Sequence, residues 1–237
     1  MTVTSDLRSG RARAARRTTR ARPLRRLWIA APLALGLATG AGANAPASEL
    51  HFQVFLDQDS IGEHRFEIRS LGDAEQVASH ASFDIDFWIF TAYRYRHESR
   101  ETWRDGCLER IEATTNDNGK RYRVEGEDVG AYLALSVNGT TQELPGCVKT
   151  FAYWDRAFLG HPRLLNPQTG ELMPVRIQPE GSERVRLGAR EIEADRYRLS
   201  TDTLELVLWY SDRYGWVGLE SDTGKGKTLR YQRIAPT

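Results

Sequence analysis

From Ser48 onward the chain alternates between apolar and polar positions, and turn residues interrupt the alternation at short intervals. "HFQVFLD" shows the pattern at once. "IGEHRFEIRS" sets Gly62, His64, Phe66 and Ile68 against Ile61, Glu63, Arg65, Glu67 and Arg69. A period of two places alternate side chains on opposite faces of a β-strand with one buried side. "NDNGK" and "SVNGT" contain Asn118-Gly119 and Asn138-Gly139, pairs suited to the positive φ angles of type I′ hairpin turns. "LELVLWYSDRYGWVGLES" puts Leu204, Leu206, Leu208 and Tyr210 on one face and predicts two core strands around a tight turn at Asp212-Arg213. A short helical turn is predicted at "YWDRAFLG", with Asp155 near its start. "HPRLLNPQTGELMP" carries three prolines and reads as an irregular connection. The whole predicts about a dozen strands in an all-β domain. A meander of this many antiparallel strands resolves its edges by curling. The expected architecture is a large curved antiparallel sheet closing into a barrel or half-barrel, with at most one short helix.

The strand "YRYRHESRETWR" carries most of the candidate chemistry. Its even positions, Arg94, Arg96, Glu98, Arg100, Thr102 and Arg104, include four arginines and must face water. Tyr93, Tyr95, His97, Ser99, Glu101 and Trp103 are therefore the inner face. Aromatic walls with polar tips, a histidine and a carboxylate make a mix typical of ligand pockets. His64 falls on the inward face of its own strand with Phe66. If the two strands are neighbours, His64, His97 and Glu101 converge. Such a set reads either as a zinc or acid–base site or as buried polar groups that satisfy one another. No HExxH-type spacing supports the metal reading, and the second reading is preferred.

The amino-terminal stretch alters the charge picture. Residues 1–47 have a basic start, an apolar run from Leu27 to about Ala38 and a small-residue end. That is the layout of an export signal, and the run is shorter than the roughly 20 residues of a membrane span. Ala45-Pro46-Ala47 fits a cleavage site before Ser48; Ala43-Asn44-Ala45 fits less well because Pro46 follows it. Arg25-Arg26 before the apolar run resembles a twin-arginine signal. The chain has 33 basic and 32 acidic side chains, but residues 1–47 hold nine arginines and one aspartate, so residues 48–237 carry 24 basic and 31 acidic groups, a net of −7. A domain this acidic is a poor partner for nucleic acid. Residues 48–237 are expected to form one exported domain of the periplasm or cell envelope, with no transmembrane span. Its two cysteines, Cys107 and Cys147, are expected to pair in an oxidising compartment. The alternative is a free catalytic thiol.

Other motifs dissolve on inspection. "FDIDFWIF" places Asp84 and Asp86 on one face with Trp88, and adjacent same-face aspartates read as a solvated face rather than a glycosidase pair. "GKGKT" does not complete a P-loop: Ser221 stands where the first glycine belongs, and a strand follows instead of a helix. The segment reads as a hairpin turn. There is no GxSxG elbow, and no cofactor-binding motif.

"IGEHRF", the Tyr93/Tyr95/His97/Trp103 strand, "DGCL", "CVKTFAYWD", "LLNPQTGE", "LWYS" and "WVGLES" together resemble an uncharacterised bacterial secreted family, domain of unknown function 6134, from about His51 to Ile234. The resemblance implies a secreted all-β protein and supplies no catalytic residues. Three functions are consistent with the sequence. The leading one is binding of an apolar or amphipathic, lipid-like small molecule inside the curled sheet, against Tyr93, Tyr95, Trp103, Phe66, Trp154 and Trp216, with His64, His97 and Glu101 as polar anchors. The second is a hydrolase or isomerase using His97 and Glu101. The third is an envelope assembly protein using the arginine face. The disulfide would be followed by "VKTFAYWD" as a strand, with Phe151 and Tyr153 on one face and Ala152 and Trp154 on the other.

Overall fold

The computed structural model describes residues 47–87, 90–223 and 226–235, and among these the side chains of all but 86, 87 and 90–92. The expected export signal and Trp88 lie outside the described residues, Ala47 excepted.

Alternation becomes strand almost throughout. The strands are β1 (Ser48–Leu56), β2 (Asp59–Leu71), β3 (Ala74–Phe87), β4 (Phe90–Arg104), β5 (Cys107–Asp117), β6 (Lys120–Asp128), β7 (Tyr132–Val137) and β8 (Thr140–Pro145). After a long connection come β11 (Arg176–Leu187), β12 (Arg190–Ser200), β13 (Glu205–Ser211), β14 (Gly215–Asp222) and β15 (Thr228–Arg233). All thirteen form one antiparallel sheet in the order β11-β12-β13-β14-β15-β1-β2-β3-β4-β5-β6-β7-β8. It is a meander in which the last strand pairs with the first: Phe52 faces Arg233 and Val54 faces Tyr231. The sheet does not close, and its edges are β8 and β11. The edges are blunted: β8 is six residues long and ends at Pro145, while β11 is kinked by a register shift between Pro179 and Ser182. Among the described residues no helix is long and apolar enough to cross a membrane.

The predicted turns form as their residues demand. Asn118-Gly119 and Asn138-Gly139 all take positive φ, 48° and 96° in the first pair and 52° and 86° in the second. Gly62 sits at φ +150°, opposite a register shift between Val54 and Phe55. A Cβ there would lie 1.9 Å from the Ser82 carbonyl oxygen, so only glycine lets β2 approach β3 this closely. The kink turns Ile61 inward, buried with Val54, Leu56, Ala81, Phe83 and Tyr95, whereas strict alternation places it on the outer face.

One face of the sheet is curled around the core, and the connection from Gly146 to Val175 lies against that face as a strap. The strap is not wholly irregular, as its prolines suggest: it holds a small hairpin of β9 (Arg163–Leu165) and β10 (Leu172–Pro174). "VKTFAYWD" does not continue as a strand either. Thr150 makes a single parallel bridge to Leu165, the chain turns at Tyr153-Trp154, and a 3₁₀ turn follows at Arg156–Gly160 whose first residues are capped by Asp155, which accepts from Ala157 N. The two-faced alternation fails because the strap is packed on both sides. Phe151, Ala152, Phe158, Leu164 and Leu165 are all buried, and each fully buried side chain of the larger kind stabilises by about 1.5–3 kcal/mol. The strap is tied to the sheet by Leu108 N donating to Val148 O and Tyr210 Oη to Tyr153 O, and Leu165 N donating to Lys149 O braces it internally. Cys107 and Cys147 are joined by a disulfide at the strap's start, so no cysteine is free.

Candidate functional site: a cavity between the sheet and its strap

The cavity follows from which side chains stand in register. Across β1 to β5 the inner face forms rows. One reads Phe52, His64, Ala81, His97, Thr115; the next Leu50, Phe66, Ser79, Ser99, Ala113; the third Ser48, Ile68, Val77, Glu101, Ile111. Serine stands on two adjacent strands in the middle row, next to alanine at Ala81 and Ala113, so four small side chains adjoin. The missing volume leaves a hollow above Ser79 and Ser99. The strap roofs it with Phe151, Tyr153 and Trp154, and Leu206, Leu219 and Tyr231 of the far limb of the sheet supply another wall. The cavity measures about 390 Å³, and its rim runs along Asn166–Glu171 of the strap and Thr203.

The polar floor is sparsely bonded. His64 Nε2 and Ser79 Oγ share a hydrogen bond at 2.7 Å, and His97 Nδ1 and Thr115 Oγ1 share another at 2.9 Å. Nδ1 of His64 is buried and has no hydrogen-bond partner among the described residues. Glu101 Oε2 accepts from Trp103 Nε1 at 3.1 Å and from Thr150 Oγ1 at 3.2 Å, the second bond pinning the strap to the sheet. Burial dominates the protonation of all three groups. It holds the His64 imidazole well below its ordinary range, helped by His97 and His80. It lowers His97 to about 4, against a hydrogen bond to the Thr114 backbone. It raises Glu101 to about 7, against the bonds from Thr150 and Trp103. Near neutrality both histidines are uncharged and Glu101 is close to half-protonated.

The sequence-derived set divides in two. His64, Phe66, His97, Glu101 and Trp154 line the cavity. Tyr93, Tyr95, Trp103 and Trp216 do not. Tyr93 is half-buried and donates to Asp117 Oδ1 at 2.7 Å. Tyr95 stacks on Phe83, rings 5.2 Å apart, in a second core cluster. Trp103 packs edge-on against Trp154. Trp216 is fully buried between Phe52 and Tyr153, and its Nε1 donates to Gly218 O. Nor do His64, His97 and Glu101 meet. His64 and His97 are separated by the strand carrying Ala81, about 10 Å across the sheet, and Glu101 stands four residues from His97, about 13 Å along its strand. Among the described residues no group of three or more His, Cys, Asp or Glu side chains is placed to hold a metal ion.

Sequence reasoning placed Ser99 on the inner face without counting it among the binding residues, and it missed Ser79 and the strap's rim. A signal for Ser79 was present: alternation in "VASHASF" puts Val77, Ser79, Ala81 and Phe83 on one face, two of them small. The arginine face of β4 is also less basic than its composition suggests. Asp84 takes Arg96 at 2.6 Å and Arg94 at 3.1 Å, and Arg104 pairs with Asp73 and Glu109. Hollows on the outer face, such as the one beside Arg110, Glu112, Glu125 and Glu127, are charged and open.

Residues 52–234 match the family model described as "Domain of unknown function (DUF6134)". No curated protein matches the chain. Among solved structures the chain is similar to a beta-barrel-like protein of Domain of Unknown Function DUF1849 from Brucella abortus, with a TM-score of 0.56 and 10% identity, over 80% of this chain and 96% of that one. At that identity the likeness concerns the fold alone.

Proposed function

This chain belongs to the DUF6134 family, and we propose that it acts as an exported envelope protein that holds an apolar or amphipathic small molecule between its curled sheet and its strap. The observation that carries this reading is the cavity of about 390 Å³, with Phe66, Tyr153, Trp154 and Leu206 as walls and a polar floor of His64, His97, Ser79 and Ser99. Ligand sites have this composition and size, mostly apolar with a few fixed polar groups. Export is supported by the basic-then-apolar layout of residues 1–47 and by the disulfide, which suits an oxidising compartment. The acid–base alternative has less support: His97 and Glu101 do not touch, and a substrate would have to bridge about 13 Å between them.

Native mass spectrometry tests the binding reading. Incubated with decanol, the protein is expected to carry one bound molecule. Ser99→Leu fills the hollow from its floor without removing a hydrogen bond, and is expected to abolish that adduct while leaving the fold at least as stable. An adduct that survives in Ser99→Leu would place binding elsewhere and sink the proposal. Cell fractionation with sequencing of the processed amino terminus tests export; full-length protein in the cytoplasm counts against it.

A further inference from the structure

The charge inventory of the cavity narrows what it can hold. Glu101 on the floor and Glu171 on the rim are the acidic lining groups, and neither a lysine nor an arginine lines the cavity among the described residues. Nearby cations are engaged elsewhere. Lys149 is buried with its Nζ 5.5 Å from the Trp103 ring and 4.0 Å from Asp155 Oδ2. Arg156 is held by Asp195, Asp212 and Tyr197 Oη. Arg233 donates to the carbonyls of Tyr214 and Trp216. The two histidines are uncharged near neutrality because burial disfavours their cations. A carboxylate or phosphate entering here would lose its water without gaining a countercharge, beside an existing carboxylate.

The floor groups are instead ones that both donate and accept. Ser79 and Ser99 are hydroxyls, and a neutral imidazole offers one donor and one acceptor. Ser99 is the informative case. It is on the cavity floor, and its hydroxyl makes no hydrogen bond among the described residues, so it can both donate to and accept from a ligand hydroxyl. His64 Nδ1 is also unpartnered but is sealed from the cavity.

We propose that the cavity selects an uncharged amphiphile with a hydroxyl head, its apolar part against Phe66, Trp154 and Leu206 and its hydroxyl on the His64/Ser79/Ser99 floor, and that it discriminates against anionic acyl chains. This rests on the cavity being a binding site, as proposed above. A series sharing one ten-carbon chain separates the two ideas: decanol, decanoate and decylamine, titrated into the full chain at pH 7.5 with calorimetry and tryptophan fluorescence. Decanol is expected to bind more than tenfold tighter than decanoate, and tighter than decylamine. Decanoate binding as well as decanol overturns the charge argument, and decylamine binding tightest overturns it in favour of a cation site on Glu101. Binding by none of the three overturns the binding reading itself. Ser99→Ala removes only the floor hydroxyl and is expected to weaken decanol about tenfold, the loss of one hydrogen bond; an unchanged affinity in a folded variant overturns the hydroxyl assignment.

Discussion

Replacing Glu101 with glutamine removes a titrating group from the cavity floor while keeping its shape and an acceptor for Trp103 and Thr150. Burial raises the carboxyl from its ordinary 4.5 to about 7. The folded protein therefore holds this proton more tightly than the unfolded chain does. Between those two values the unfolded chain is the one that has released it, so native stability falls as pH rises from 4.5 towards 7 and levels off above. The full rise corresponds to about 3 kcal/mol, of which about 2–3 kcal/mol develops between pH 5 and pH 8. The assay is urea unfolding of wild type and Glu101→Gln at pH 5, 6, 7 and 8, followed by tryptophan fluorescence. Groups common to both proteins, His97 among them, cancel in the difference. Wild type is expected to lose about 2–3 kcal/mol relative to the variant over this range. Parallel pH curves would show that Glu101 is hydrated or charge-compensated, and the electrostatic description of the floor would be refuted.

Two further outcomes follow from the scaffold. The disulfide closes a loop with a sequence separation of 40, and Cys107→Ala with Cys147→Ala is expected to lower stability by about 4 kcal/mol on the chain-entropy model; denaturant midpoints measure this, and a thiol titration of the native protein should find no free thiol. Gly62→Ala would drive a Cβ into the Ser82 carbonyl and is expected to destabilise by more than about 2 kcal/mol, with a midpoint within error of wild type as the contrary result.

Much of the fold was legible because a period of two needs no partner information. It assigned the inner face of β4, including His97, Ser99, Glu101 and Trp103, all of which are buried. It could not assign position along that face, which depends on register with strands distant in sequence. Tyr95 and His97 are two residues apart on one face, yet Tyr95 belongs to the second cluster and His97 to the cavity floor. Leu206 and Leu219 meet Phe66 around one cavity only because β15 pairs with β1, a long-range closure that local pattern does not encode. The strap was least legible. Its prolines and short apolar runs describe a loop, and what makes it a roof is burial against both limbs of the sheet. Ile61 departed from alternation for a local reason, the positive φ of Gly62.

The most direct measurement is a crystal structure of the protein grown with decanol. The result expected is electron density for one decanol in the hollow above Ser79 and Ser99, its chain beneath Trp154 and its oxygen within hydrogen-bond distance of Ser99 Oγ. A hollow filled by closure of the strap, with decanol absent or bound only on the outer face, would contradict it.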